Sequence, residues 1–286
     1  MYYLVFLVFL STFASNIKKM LNFISIGSGS SGNCYFLYTE KDGLIIDSGV
    51  GIRALKKAFK DYGLNQSLVH HILITHDHAD HIKSVGVLCK EFNVPVYATR
   101  AVHQGIVNNY CVQKKLPEDK KQYIEKGVSF TLGDFSVTPF GVPHDSSDNV
   151  GYLIEAGGVR FCIITDAGCI TEEIYPFIEK AQYLVIEANH DEEMLLGGPY
   201  PAYLKDRILS NTGHLSNKTC AQTIVEHMSE DLRHVWLCHL SEENNHPELA
   251  RKTVESVLRS YGIVVGKDLA LDVLRRKLPT GVFELV

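Results

Sequence analysis

The sequence contains no pair of cysteines in C-x-x-C spacing, although it has seven cysteines among its 286 residues. The number is odd, and most of these cysteines lie within apolar runs. This pattern argues against structural disulfides, since a disulfide framework pairs its cysteines and belongs to oxidising compartments. We therefore expect reduced, buried thiols in a cytoplasmic protein.

The sequence also lacks an excess of positive charge, and its formal net charge is -5. This charge argues against a protein that holds nucleic acid through overall basicity, but it leaves a local basic groove open. With 45% hydrophobic and 21% charged residues, the chain can bury a substantial core. No internal repeat or linker divides it.

The chain lacks the roughly 20-residue apolar run that a membrane span requires. The apolar run over residues 1–10 is shorter, and no basic residue precedes it. We interpret residues 1–19 as an upstream extension before a natural start at Met20, and residues 20–286 as one domain. We expect no stable membrane association and a cytoplasmic location, with export through residues 1–19 as the alternative.

A cluster of metal-ligand side chains follows the buried strand that residues 72–74 predict. His76, His78, Asp80 and His81 lie within six positions. His76 and His78 share one side of an extended turn and can reach one cation, while Asp80 and His81 point elsewhere and could hold a second. Imidazole and carboxylate ligands suit Zn²⁺, Mn²⁺ or Fe, and the lack of cysteine argues against a closed structural zinc site. A metal site with an open coordination position indicates a catalytic role.

Three later strands also end in metal-ligand residues, namely His144, Asp166 and His239. A carboxylate such as Asp166 at the end of a buried strand needs a compensating charge, which cations would supply. Between the ligand loop and His144 we expect a helix over residues 81–92 and an exposed connection over residues 113–122, for which nucleic-acid contact is the less favoured alternative. A strand near residues 271–274 is expected to be the last.

His214 lies just before a helix that residues 218–228 predict, with Ser216 as its N-cap. The free N–H groups of a helix N-terminus attract anions, so a phosphate could bind beside His214. Packing of His214 within its loop is an equally good interpretation from the residues alone.

The motif T-H-x-H-x-D-H at residues 75–81, with a later His, Asp and His at strand ends, resembles the signature of the metallo-β-lactamase superfamily. The resemblance extends from about Met20 to the C-terminus. It implies an α/β fold, a four-layer αββα sandwich with metals at one edge. The residues that it implies are His76, His78 and His144 for the first metal, Asp80, His81 and His239 for the second, Asp166 between the two, and Asp47 in support of the ligand loop.

Within the superfamily, the runs SGSSGN at 28–33, EANHD at 187–191 and GHLSN at 213–217 look like the YycJ/WalJ-type branch. That branch is associated with DNA exonuclease activity. The resemblance thus implies a hydrolase with two divalent ions, Zn²⁺ or Mn²⁺, and DNA as substrate, acting through a hydroxide between the metals. Asp80, Asp166 and His214 are the catalytic residues that we expect.

Several other activities can be compared with these residues. Flavodiiron oxygen reductases place a glutamate where this chain has His78, and the commonest zinc β-lactamases place a cysteine where it has Asp166, so both are disfavoured. The segment between Asp166 and His239 has no room for the clamp domain of RNA-processing relatives. A small-molecule phosphodiesterase, a glyoxalase II-like thioester hydrolase and a non-catalytic metal-binding regulatory protein stay open, as does the oligomeric state.

Overall fold

The computed structural model describes residues 20–286, so the proposed extension over residues 1–19 lies outside the described residues. Its strands, in chain order, are β1 Leu21–Gly27, β2 Cys34–Tyr38, β3 Gly43–Ile46, β4 Val69–Leu73, β5 Val96–Ala98, β6 Lys121–Tyr123, β7 Phe130–Leu132, β8 Phe135–Gly141, β9 Val150–Ala156, β10 Val159–Ile164, β11 Tyr183–Glu187, β12 His234–Cys238, β13 Ala270–Val273 and β14 Phe283–Leu285.

These strands form two seven-stranded sheets. The first has the order β14-β1-β2-β3-β4-β5-β6, and the second has the order β13-β12-β11-β10-β9-β8-β7. Strands β3 to β6 run parallel in the first sheet, and strands β10 to β13 run parallel in the second. Parallel strands place their carboxyl ends at one edge, which is where ligand sites of such sheets form.

Helices cover the outer face of each sheet, since their apolar faces need a partner surface. The α-helices are Ile52–Asp61, Ala79–Ile82, Val85–Phe92, Arg100–Asn108, Tyr175–Ile178, Glu192–Gly197, Ala202–Leu209, Asn217–His227 and Pro247–Ser260, and short 3₁₀ turns lie at Gln66–Leu68 and Glu118–Lys120. Within residues 20–286, no helix has the length and apolar character needed to cross a bilayer.

Three hydrophobic layers hold the four structural layers together. In β12, Val235 and Leu237 pack against the helices, while Trp236 and Cys238 pack between the sheets, because alternate side chains leave a strand on opposite faces. The ring of Trp236 is fully buried, with its centroid 4.9 Å from that of Phe23 in the opposite sheet. The expected αββα sandwich is confirmed.

Two sequence-based expectations were wrong at the sheet edges. The chain does not close with the strand near residues 271–274, because β14 follows and pairs antiparallel with β1. The expected connection over residues 113–122 contributes the start of β6, which pairs with β5. Both are three-residue edge strands, which are too short to show a hydrophobic alternation in the sequence.

Candidate metal centre

The ligand loop leaves β4 and enters the short helix Ala79–Ile82, which carries Asp80 and His81. The helix expected over residues 81–92 is instead broken after Ile82. The physical reason is that the Ser84 N–H donates to the Ser48 carbonyl oxygen, 3.0 Å away, rather than to a carbonyl of the preceding turn. The break ties the ligand loop to the segment that follows β3.

A first trio consists of His76, His78 and His144, whose ring nitrogens lie within 4.8 Å of one another. His78 Nδ1 and His144 Nε2 are 3.2 Å apart. His144 Nδ1 donates to the Gly213 carbonyl oxygen at 3.0 Å, which leaves Nε2 as a lone-pair ligand. His76 Nε2 is buried and finds no hydrogen-bond partner among residues 20–286. The trio therefore presents converging ring nitrogens that a cation could bind.

A second trio consists of Asp80, His81 and His239. Asp80 Oδ2 lies 3.2 Å from His239 Nε2 and 3.6 Å from His81 Nε2. His81 Nδ1 donates to Asp47 Oδ2 at 2.7 Å, so the other ring nitrogen of His81 is the one that faces the site. This is the supporting position that the sequence predicts for Asp47.

The carboxylate of Asp166 lies between the two trios. Its Oδ1 is 3.8 Å from His144 Nε2 and 4.0 Å from His76 Nε2, while its Oδ2 is 3.2 Å from His81 Nε2. The carboxylate is buried, and the Thr165 hydroxyl donates to Oδ2 at 2.6 Å. Asp166 can therefore contact ligands of either trio. All seven side chains that the sequence predicts as metal ligands are thus brought together.

Strained backbone marks the strand ends that supply this site. Asp47 and His239 directly follow β3 and β12, Asp166 follows β10 after one residue, and the φ angles of Asp47, Asp166 and His239 are 60°, 54° and 53°. Asn93 is the other non-glycine residue with positive φ in the described part of the chain. Such conformations are uncommon for side-chain-bearing residues and cluster at functional sites, where surrounding structure holds them. All three side chains lie within hydrogen-bond distance of His81 or Asp80 of the ligand loop.

Asn33 is a site residue that sequence reasoning did not single out. It ends the glycine-rich loop of residues 27–33, and its N–H donates to the Asp80 carbonyl oxygen at 2.8 Å. Its side-chain Nδ2 lies 2.8 Å from His81 Nε2 and 3.3 Å from Asp80 Oδ2. Gly49 packs on the same carbonyl so closely that a Cβ there would lie 1.5 Å from it. Gly49 thus permits a close approach to the backbone of the ligand loop.

Glu187 is the second residue that sequence reasoning missed. It is fully buried at the end of β11, and its carboxylate accepts hydrogen bonds from His214 Nδ1 at 2.8 Å and His239 Nδ1 at 3.0 Å. Burial raises the pKa of Glu187, but the charge and hydrogen bonds of these histidines outweigh burial and lower it to about 2. The signal in the sequence was a carboxylate that ends an apolar strand, as at Asp166.

His214 lies beside both trios rather than in them. Its ring centroid is 5.0 Å from that of His144 and 5.5 Å from that of His239. Burial lowers the pKa of His214, but the adjacent Glu187 carboxylate outweighs burial and raises it. Ser216, not His214, caps the helix Asn217–His227, by accepting from the Thr219 N–H at 3.1 Å. His214 is therefore oriented by Glu187.

Comparison with known proteins agrees with this geometry. Residues 44–239, more than half of the chain, match the family model described as "Beta-lactamase superfamily domain". The chain belongs to the metallo-β-lactamase superfamily.

Comparison with individual relatives assigns the chain to one branch of the superfamily. It is 36% identical over 260 residues to "Exodeoxyribonuclease YycJ" of Bacillus anthracis, covering 91% of this chain and 97% of the relative. It is 35% identical over 243 residues to "Exodeoxyribonuclease WalJ" of Streptococcus pneumoniae, covering 85% and 90%. The chain thus belongs to the YycJ-type branch. A solved structure, Zn²⁺-bound PqqB of Methylobacterium extorquens, shares the fold with a TM-score of 0.68 at 18% identity, covering 91% of this chain and 99% of that one.

The donor set suits the divalent cations that metallo-β-lactamase folds bind. Metal-binding histidines must be neutral. Burial, followed by the charge of His81, lowers the pKa of His76 well below its usual range, and burial also lowers the pKa of His144, so the first trio meets this condition. In the second trio, burial lowers the pKa of His81 and His239, but Asp166 and the other adjacent carboxylates outweigh burial and raise both, so a cation there would have to displace protons. The unpartnered Nε2 of buried His76 is the kind of atom that a cation satisfies. Imidazole nitrogens and carboxylate oxygens together indicate divalent-metal binding.

Proposed function

We propose that this protein is a metal-dependent phosphodiesterase that degrades DNA from an end. The observation that carries the proposal is the pair of trios with Asp166 between them, in a chain that aligns over nearly its full length with an exodeoxyribonuclease. A dinuclear site is a common solution for phosphodiester hydrolysis, because two cations can contact both the attacking and the leaving oxygen.

In this proposal, His76, His78 and His144 hold one cation, either Zn²⁺ or Mn²⁺. Asp80, His81 and His239 would hold a second, and Asp166 lies between the two sets of ligands. When bound, the cations lower the pKa of a coordinated water and neutralise negative charge on the phosphate. The protein's own contribution is orientation, since Asp47 and Glu187 fix the tautomers of His81 and His239.

His214 has a separate role in this proposal. Its Nδ1 donates to Glu187 Oε1, so Nε2 is the nitrogen available to a substrate. Glu187 raises the pKa of His214, which favours the form in which Nε2 carries a proton to donate to a phosphate oxygen or to the leaving oxygen. Charge-assisted hydrogen bonds of this kind stabilise the developing negative charge.

The test measures release of nucleotides from 5′-phosphorylated duplex DNA by protein loaded with Zn²⁺ or Mn²⁺. We expect release by the wild-type protein and none by Asp80→Ala, with the exposed Asp206→Ala as matched control. His214→Ala should lower turnover about 100-fold or more while keeping its bound metal, because general acid catalysis contributes on this scale. Metal content is measured on the same samples.

Three outcomes would contradict parts of the proposal. Loss of metal from His214→Ala would make His214 a ligand. Release that persists in Asp80→Ala would show that the activity does not depend on the second trio. Absence of release from protein shown to hold two ions would refute the DNA exonuclease, and the same protein would then be tested on cyclic phosphodiesters and thioesters.

A further inference from the structure

An open cavity of about 520 Å³ lies next to the ligand loop, a volume typical of sites for small molecules. One wall is Asp80, so the cavity adjoins the candidate metal centre directly. The other walls include Ser30 of the glycine-rich loop, Lys83 after the helix Ala79–Ile82, and Tyr110 and Gln113 of the loop that follows the helix Arg100–Asn108. We call this cavity the Tyr110 groove.

The ring of Tyr110 is left open to solvent. Tyr110 is 96% exposed, more than any other large hydrophobic residue within residues 20–286. An aromatic side chain contributes to folding mainly through the area that it buries, and this one buries almost none. Its ring face is thus available to a ligand, and its replacement should leave the fold intact.

The loop that carries Tyr110 is fixed to the ligand loop. The neighbouring Asn109 donates from Nδ2 to the Asp77 carbonyl oxygen at 2.9 Å, and its Oδ1 accepts from the Cys111 N–H at 2.9 Å. Further along, Gly86 packs so closely on the loop that a Cβ there would lie 1.9 Å from the Lys114 carbonyl oxygen. The backbone of Tyr110 is therefore held in place relative to the ligand loop.

One lysine lines the groove, and two more lie in the loop that carries Tyr110, on a chain that is acidic overall. Lys83 lines it, with Nζ donating to the Ser31 carbonyl oxygen at 2.6 Å. Lys114 and Lys115 follow in the same loop, and both are exposed. Neither forms an ion pair with another residue of the described part of the chain, since every salt bridge there involves other side chains. Lysines without acidic partners are available to phosphates.

We propose that the Tyr110 groove binds the end of a DNA strand, with one base stacked on the Tyr110 ring and the adjoining phosphate near Lys83. An exposed aromatic face beside unpaired cations is how proteins bind single-stranded nucleic acid, because every base offers a π-face. The shared wall at Asp80 favours a DNA strand over a protein partner, since a strand held there passes the metal centre. This assignment rests on the proposed function and names where its substrate binds.

The test compares Tyr110→Ala and Tyr110→Phe with Tyr261→Ala, a matched control 58% exposed beyond the helix Pro247–Ser260. Binding of a phosphorothioate oligothymidylate, which resists hydrolysis, is measured by fluorescence anisotropy with the label at each end in turn. We expect Tyr110→Ala to weaken binding roughly fivefold to 100-fold, the range for loss of one stacked base. Tyr110→Phe and Tyr261→Ala should stay within about twofold of the wild type, since both retain the ring in the groove.

An abasic residue at the bound end separates stacking from a general loss of charge or fold. It should weaken binding to the wild type as much as Tyr110→Ala does, and it should have no further effect in that variant. Equal binding by Tyr110→Ala and the wild type would overturn the groove while leaving DNA degradation in place. Tyr110-dependent binding by a protein that degrades no DNA would instead refute the proposed function and leave the groove standing.

Discussion

Glu187→Gln is expected to weaken metal binding without removing a single ligand. The Glu187 carboxylate accepts from four donors: its Oε1 from His214 Nδ1 and His239 Nδ1, and its Oε2 from the N–H groups of Ala167 at 2.8 Å and Leu215 at 3.2 Å. Glutamine has the same shape but only one oxygen, so two of the four donors lose their acceptor.

The backbone N–H groups cannot change their protonation, so we expect the amide oxygen to face them and the amide nitrogen to face the imidazoles. Each imidazole Nδ1 must then accept, which moves its proton to Nε2. In His239, Nε2 is the nitrogen that faces Asp80 in the second trio. A protonated nitrogen cannot bind a cation. Loss of such a supporting contact costs about 10- to 100-fold in affinity, or roughly 1.4 to 2.8 kcal/mol.

The assay is competition for Zn²⁺ against a chromophoric chelator, with the exposed Glu193→Gln as matched control. Thermal unfolding of the metal-free proteins is measured in parallel. The opposite amide orientation would leave the N–H groups of Ala167 and Leu215 without an acceptor. It would lower the free energy of unfolding by about 1 to 3 kcal/mol for each. A Glu187→Gln protein with both the affinity and the stability of the wild type would refute the reasoning.

Three further predictions follow from contacts elsewhere in the structure. Asp47→Asn should lower Zn²⁺ affinity about 10- to 100-fold in the same competition assay, because the Asp47 carboxylate orients a ligand histidine, and unchanged affinity would contradict that role. Gly49→Ala should lower the free energy of unfolding by more than about 2 kcal/mol, whereas Gly51→Ala, where a Cβ would meet nothing within 4 Å, should cost no more than about 1 kcal/mol in denaturant titrations. A native thiol titration with Ellman's reagent should detect only Cys111 and Cys169, because the other five thiols are buried, and reaction of all seven before unfolding would contradict the described packing.

The sequence was most informative where function and local pattern coincide. His76, His78, Asp80 and His81 are adjacent in the chain, so their spacing after an apolar strand was visible without a structure. The later strand-end residues were also found, because a polar residue that ends a buried apolar run stands out. The αββα fold followed from the family resemblance rather than from periodicity.

Other parts of the site depend on tertiary placement, and the sequence could not predict them. Glu187 looked like the end of one more core strand, since its partners His214 and His239 are 27 and 52 residues away. The role of Asn33 depends on its contacts with Asp80 and His81, which lie 47 and 48 positions further along the chain. Tyr110 lies in no motif, and only its exposure beside Asp80 distinguishes it.

Each trio draws two side chains from the ligand loop after β4 and one from a strand end of the other sheet, His144 in one case and His239 in the other. Neither sheet alone carries all three members of either trio. A cation in either trio would therefore link the amino-terminal and carboxyl-terminal halves of the sandwich. The affinity for the cation would therefore depend on how well the two halves pack together. A substitution that makes a cavity at Trp236 should weaken metal binding even though Trp236 is not one of the ligands.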